Sequence, residues 1–291
     1  MQIRRRIGGW LGATKSWGAV AAAAVWMLAA GPAKAQFPGD VPNTFRLTAG
    51  GMWAWFNTTV AFQQNVTQGG GAGIDFENTF NLPSQGGFYG RASFSLGFLS
   101  FDAGYVGFTR TRSATISQDI TFGDKTYTVG ANVEARQKTQ LPYGDIRINF
   151  LHNPSTTLGL TLGVAYPILQ AELSANAGVT GPGGPIVGES VSTEGKISTP
   201  VPLVGIVFDA QIGDRLSAGI IFNGIFAPVH PYVGSIFQAD AHVEWYFARN
   251  FGVGGGFNYT RFRIKREDLP NTFVNFQQDF YGPRAYLILT F

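Results

Sequence analysis

Among the residues equipped for chemistry, His242 has the most suggestive neighbours. Asp240, His242 and Glu244 alternate along the chain. In an extended strand they share one face, with about 7 Å between alternate positions. An imidazole beside carboxylates is the pairing that general acid–base catalysis uses. A second acidic pair, Asp75 and Glu77, falls in a stretch expected to be a loop, whereas His242 lies about seven residues from the Arg249 turn. The two sets are therefore not expected to meet, and no serine accompanies His242 as a nucleophile. One histidine with carboxylates on a single strand is also a thin ligand set for a metal. His152, beside Asn153-Pro154, and His230, between Pro228 and Pro231, read as solvated turn residues. Cysteine is absent, which excludes disulfide scaffolds, thiol enzymes and cysteine-ligated metals. The glycine clusters Gly69–Gly73 and Gly252–Gly256 open no helix, so neither is a phosphate loop. No catalytic residue, metal or cofactor is expected.

The elements that hold these side chains are set by a period of two. Phe237, Ala239, Ala241, Val243, Trp245 and Phe247 alternate with Gln238, Asp240, His242, Glu244 and Tyr246. Ile146, Ile148 and Phe150 oppose Asp145, Arg147 and Asn149, while Phe88, Ala92, Phe94 and Leu96 oppose Tyr89, Arg91, Ser93 and Ser95. Such strands suit either a soluble sheet or a transmembrane barrel with apolar residues facing lipid. Charged residues make up 13% of the chain, about half the share of a soluble domain. Aromatics cluster at strand ends (Trp53, Trp55, Trp245, Tyr246, Phe247, Tyr259), where interfacial girdles sit. A transmembrane helix over Leu216–Ala239 is disfavoured by Asn223, Pro228, His230 and Pro231.

Residues 1–35 read as a cleavable signal peptide. Arg4, Arg5, Arg6 and Lys15 precede an apolar stretch from Trp17 to Ala30, and Ala33-Lys34-Ala35 offers a cut before Gln36. The apolar run is shorter than the ~20 residues a spanning helix needs. This segment holds five basic and no acidic residues, so the remainder carries 16 basic and 18 acidic residues, net −2 instead of +3. A nucleic-acid partner has no support in that balance. Residues 36–44 read as a periplasmic N-terminal segment and 45–291 as the barrel.

The expected fold is a single all-β, antiparallel, up-and-down transmembrane barrel of about ten strands, with eight as the alternative. Strand cores fall near 45–57, 86–97, 101–112, 136–151, 157–171, 197–211, 216–227, 236–248, 251–264 and 280–291. Short turns at Phe98–Ser100, His152–Thr156, Gly213–Arg215 and Arg249–Asn250 face the periplasm, with both ends on that side. Longer external loops span Thr58–Gln85, Ser113–Glu134, Ser174–Lys196, Pro228–Ser235 and Arg266–Asn275.

Parity places Arg91, Asp145, Arg147, His242, Glu244 and Arg284 in the lumen, about five to seven residues above the nearest periplasmic end. Charges at one height in a narrow barrel should pair, because an unpaired buried charge is costly. Each arginine is expected within reach of Asp145, Glu244 or another lumen carboxylate, in a mostly closed interior. Arg261, Arg263 and Lys265 share the lipid-facing parity of Phe257 and Tyr259, and Arg136 and Lys138 that of Ile146 and Ile148. These five would emerge at outer-leaflet headgroups, suited to lipopolysaccharide phosphates or to simple snorkelling.

Signal peptide, alternating strands and the closing run Ala285-Tyr286-Leu287-Ile288-Leu289-Thr290-Phe291 resemble small Gram-negative outer-membrane β-barrel proteins, the broad class around OmpA and OmpW. Ile116–Lys125 also resembles a stretch that recurs in uncharacterised members. The resemblance implies that Phe291, Leu289 and Leu287 form a signal for the barrel-assembly machinery. It implies an outer-membrane location among lipid and lipopolysaccharide, and leaves oligomeric state open. Asp240-Ala241-His242 also resembles the Asp-x-His pair of the omptin proteases, but no other omptin-like stretch accompanies it. The resulting expectation is a non-enzymatic barrel with a structural or surface-interaction role and a charge-lined lumen. A narrow porin-like channel for ions or small solutes is the alternative.

Overall fold

The computed structural model describes residues 45–64, 73–153, 155–186, 190–229, 232–248, 250–269 and 272–291. The expected signal peptide, the segment 36–44, His230 and Arg249 lie outside them. In chain order the elements are β1 (Phe45–Gln64), β2 (Ile74–Asp75), α1 (Phe76–Phe80), β3 (Gln85–Leu96), β4 (Leu99–Thr115), β5 (Ile120–Phe122), β6 (Lys125–Tyr127) and β7 (Asn132–Asn153). There follow β8 (Thr156–Ala165), β9 (Ile168–Ala175), β10 (Val179–Gly181), β11 (Gly184–Ile186), β12 (Val191–Ser198) and β13 (Val201–Gln211). β14 (Leu216–Val229), β15 (Tyr232–Ala248), β16 (Phe251–Leu269) and β17 (Thr272–Thr290) complete the chain.

Antiparallel pairing closes a ring through β1, β3, β4, β7, β8, β13, β14, β15, β16 and β17 and back to β1. The main sheet holds 13 strands, more than the ten expected. Two expected strands each break at a proline, which has no N–H for a ladder. The strand placed at 157–171 divides at Pro167 into β8 and β9, and that at 197–211 divides at Pro200 into β12 and β13. β7, at 22 residues, is long enough to pair with β8 in its lower part and β9 in its upper part.

Short turns gather at one end. Gly97 and Gly213 have φ of +60° and +80°, the left-handed conformation that glycine adopts without a Cβ penalty. Phe45 and Phe291 meet at the same end, with Phe45 N donating to Phe291 O at 3.1 Å and Phe291 N donating to Phe45 O at 2.8 Å.

The side-chain pattern changes sign along the barrel. Near the short turns the outer surface is apolar: Leu287 is 67% exposed, Phe150 62% and Phe88 54%. Leaving a large apolar side chain in water forfeits about 1.5–3 kcal/mol, so this belt belongs in hydrocarbon. Farther up, the parity stays but the chemistry inverts. On β7, Val133, Ala135 and Leu141 point inward and are buried, while Glu134 and Arg136 are exposed outward. Phe56, Phe108, Phe262, Phe276 and Phe280 fill this upper interior. The lower zone is built for lipid, and the upper zone is built as a soluble protein is.

That inversion corrects the expected loops. In two of them, Pro228–Ser235 and Arg266–Asn275, strand pairing instead continues as far as Val229↔Tyr232 in β14–β15 and Leu269↔Thr272 in β16–β17. Ser113–Glu134 and Ser174–Lys196 contribute β5, β6, β10 and β11 to a separate four-stranded sheet. Its Gly123 N donates to Phe62 O at 2.9 Å, tying it to the end of β1. Ile116, Ile120 and Phe122 of the Ile116–Lys125 stretch are buried in the upper core.

Candidate functional site: a charged layer across the lumen

The lower interior carries a layer of ion pairs supplied by seven strands of the ring. Arg91 of β3 reaches Asp102 of β4, with Nη2–Oδ1 at 2.9 Å and Nε donating to Oδ1 at 3.0 Å. Arg147 of β7 bridges Asp102 and Asp209 of β13, at 3.3 Å each. Arg284 of β17 pairs with Asp240 of β15 and stacks over the Tyr89 ring at 4.4 Å. Arg46 of β1 pairs with Glu244, which also accepts from Tyr286 at 2.9 Å, Tyr246 at 3.1 Å and Ser217 at 3.4 Å.

His242 joins two parts of this layer. Its Nε2 lies 3.3 Å from Asp209 Oδ1 and its Nδ1 3.3 Å from Asp240 Oδ1. Both nitrogens face acceptors, so only the imidazolium satisfies both contacts. Four arginines face five carboxylates here, and an imidazolium brings the layer to neutrality. Small neighbours make the room: a Cβ on Gly219 would lie 2.8 Å from His242 Nε2, and one on Gly256 would lie 3.1 Å from its Cβ.

All six side chains expected in the lumen are in this layer, and Arg91, Arg147 and Arg284 each reach a lumen carboxylate, in every case one other than Asp145 or Glu244. Asp145 Oδ1 is buried with no hydrogen-bond partner among the described residues. The partners that sequence reasoning missed are Arg46, Asp102 and Asp209. Asp102 and Asp209 lie within a few residues of short turns and share lumen parity with Ser100 and Gln211, a signal that was present. Asp75 and Glu77 lie elsewhere: Asp75 Oδ1 accepts from Asn78 N at 2.9 Å, capping α1. His152 is exposed in its turn, with Nδ1 3.2 Å from Thr157 Oγ1.

Two spaces flank the layer. Below it, open toward the short turns, is a vestibule of about 670 Å³ lined by polar groups including Ser93, Asn149, Gln211 and Tyr246. Above it is a cavity of about 60 Å³ lined by Asp145, Thr161, Asn223 and Asn258 among others. Tyr89, Arg91, Arg147 and Arg284 line both. At several times the roughly 10–15 Å³ that one water needs, the upper cavity can hold water. The apolar upper core continues above it.

A second polar cluster lies inside that core and was not anticipated. Arg110 of β4 is 1% exposed. Its Nη2 is 2.7 Å from Glu77 Oε1 and donates to Thr58 Oγ1 at 3.0 Å, while Nε donates to Gln137 Oε1 at 2.8 Å.

The outward basic residues are partly neutralised. Asp279 accepts from Arg261 Nε at 3.3 Å and from Arg263 Nη1 at 2.6 Å. Lys265 Nζ lies 5.4 Å from the Phe273 ring centroid. Arg136 is exposed opposite Glu172 on β9, and Lys138 is half-buried opposite Gln170. Leu287 and Phe291 are exposed on the lipid side, Leu289 is half-buried, and the Phe291 ring stacks on Phe45 at 6.2 Å.

No protein-family model matches the chain, and no curated protein matches it. Solved structures do. The Pseudomonas putida toluene transporter TodX shares 9% identity over 86% of this chain and 91% of that one, at a TM-score of 0.33. The transport unit of the autotransporter AIDA-I from Escherichia coli shares 10% identity over 93% and 98%, at 0.35. Neisserial surface protein A shares 10% over 85% and 97%, at 0.26.

Proposed function

We propose that the chain is an integral outer-membrane β-barrel with a sealed lumen, serving a structural or surface-interaction role through its external cap. One observation carries the sealing: the ion-paired layer stands between the vestibule and the upper cavity, with a packed apolar core above. An ion crossing that core would leave water without replacement ligands. The apolar belt, the aromatic residues at its rim and the export-like N-terminus support the outer-membrane assignment. On this reading Phe291, Leu289 and Leu287 engage the barrel-assembly machinery. Arg136, Lys138, Arg261, Arg263 and Lys265 meet lipopolysaccharide headgroups, the second set with its charge reduced by Asp279. No catalytic role is assigned to His242, which the layer uses for charge balance. The vestibule favours a narrow channel as the second reading, in which the charged layer would part. Planar-bilayer recording of the folded protein decides between them. The sealed reading expects no stable conductance, and a sustained open level would replace it with the channel.

A further inference from the structure

The wall between β1 and β4 is completed in an unusual way above the charged layer. β3 has 12 residues, fewer than the 20 of β1 and 17 of β4. Its pairing with β1 stops at Ala54↔Gln85 and with β4 at Phe88↔Gly107. Above that level the panel beside β1 is β2 and α1, and only Ile74 and Asp75 of it pair with β1. α1 touches β1 and β4 and buries Phe76 and Phe80 in the upper core. This panel is held by side chains more than by a backbone ladder, so it opens at lower cost than the rest of the wall.

Arg110 lies behind the panel. Its guanidinium carbon is 3.9 Å from the centroid of the Phe56 ring. Phe56, Phe108 and Phe280 form an aromatic cage there, with centroids 5.2 to 6.1 Å apart. Gln137 and Thr58 supply neutral acceptors. Among the described residues the carboxylate paired with Arg110 is that of Glu77, and Glu77 belongs to the panel. A buried guanidinium needs an anion continuously. Here the anion is carried by a weakly laddered insert, and its side chain is 21% exposed.

We propose that Arg110 anchors a binding site for a small aromatic monocarboxylate, and that Glu77, Phe76 and Phe80 occupy that site in the unliganded protein. The incoming carboxylate replaces Glu77 on Arg110 Nη2, and the ligand ring replaces a phenylalanine ring against the cage. One charge-assisted pair is exchanged for another, so Arg110 is not desolvated a second time. The internal occupant lowers apparent affinity by the fraction of time that it holds the site. The site lies within the apolar core above the charged layer, and its occupancy is read by binding, independently of whether the barrel conducts.

Calorimetric titration of the full chain in lipid nanodiscs tests this, with 3-phenylpropionate as probe and 3-phenylpropanol as its uncharged counterpart. Glu77→Gln keeps an acceptor for Thr58 N but removes the competing charge. It should bind 3-phenylpropionate about tenfold or more tightly than the native chain. The alcohol should bind Glu77→Gln at least about tenfold more weakly than the acid. The double variant Glu77→Leu with Arg110→Met replaces the pair by apolar groups, keeps the heat-modifiable fold and should bind neither probe. Absent or unimproved acid binding in folded Glu77→Gln overturns the proposal. So does equal binding of acid and alcohol, or acid binding retained by the folded double variant. The comparisons within Glu77→Gln decide the matter even if the double variant does not fold, and none of them depends on conductance.

Discussion

Glu244 shows how much of the lumen one carboxylate holds. It is 2% exposed and accepts from Arg46, Tyr246, Tyr286 and Ser217. Glu244→Ala leaves three hydroxyls and a guanidinium without their acceptor. Arg46 keeps some access to water, its side chain being 30% exposed, so the loss should be about 2–3 kcal/mol, below that of a fully buried pair. The urea midpoint of the heat-modifiable band measures it, and an unchanged midpoint would contradict the network. Asp145 should matter less. Among the described residues its Oδ1 is buried without a hydrogen-bond partner, so Asp145→Asn gives up a balancing charge but no hydrogen bond at that oxygen, and should lower the midpoint by less than Glu244→Ala does. A fall comparable to that of Glu244→Ala would mean that Asp145 is paired through water. The height and parity of both residues were legible in the alternation around Ile146 and Val243. The choice of partner was not, because it depends on which strands become neighbours. Asp102 serves Arg91 and Arg147 only because β4 lies between β3 and β7.

At the scale of elements, period-two patterning located the strands wherever the outer face is apolar, as in β15 and the lower part of β7. It missed their upper extensions because the polar face there points outward, and polar stretches were assigned to loops. The breaks at Pro167 and Pro200 were visible as residues, but their effect on the ladder depended on β7 being long enough to carry two partners. β17 carries a prediction of its own. It pairs along nearly its whole length with both β1 and β16, so it closes the ring. Deleting Phe291, or replacing it with aspartate, removes the ring that stacks on Phe45 and the aromatic end implied as the assembly signal. The yield of heat-modifiable barrel in the membrane fraction should fall severalfold, and a normal yield from both variants would exclude the role. On β16, replacing Arg261, Arg263 and Lys265 together by glutamine should lower lipopolysaccharide co-purification while folding persists. Because Asp279 already offsets one of these charges, the reduction should be partial. Unchanged co-purification would leave Arg261 and Arg263 as partners of Asp279 alone.

For the whole molecule, the two zones follow from one rule applied in two solvents. Apolar side chains face the hydrocarbon in the lower zone and face each other in the upper zone, on strands whose parity never changes. The upper zone then needs a lid, and segments distant in sequence provide it. β6 pairs with β10, and Tyr127, fully buried, donates to the Leu173 carbonyl at 2.7 Å. Glycine and asparagine content in these segments indicated exposure, and nothing in it specified that they pair with one another. Orientation follows from the same division. The belt lies next to the short turns, so the capped zone stands clear of the membrane on the far side, outside the cell if the ends are periplasmic. An epitope inserted after Gly183, in the turn between β10 and β11, should then bind antibody on intact cells. The same epitope in the Gly213 turn should bind only after the outer membrane is permeabilised. Both turns are solvent-facing and bear positive-φ glycines at Gly184 and Gly213, so insertion at either should leave the ladders intact. The reverse pattern of labelling would invert the barrel and move the Arg110 site to the periplasmic side.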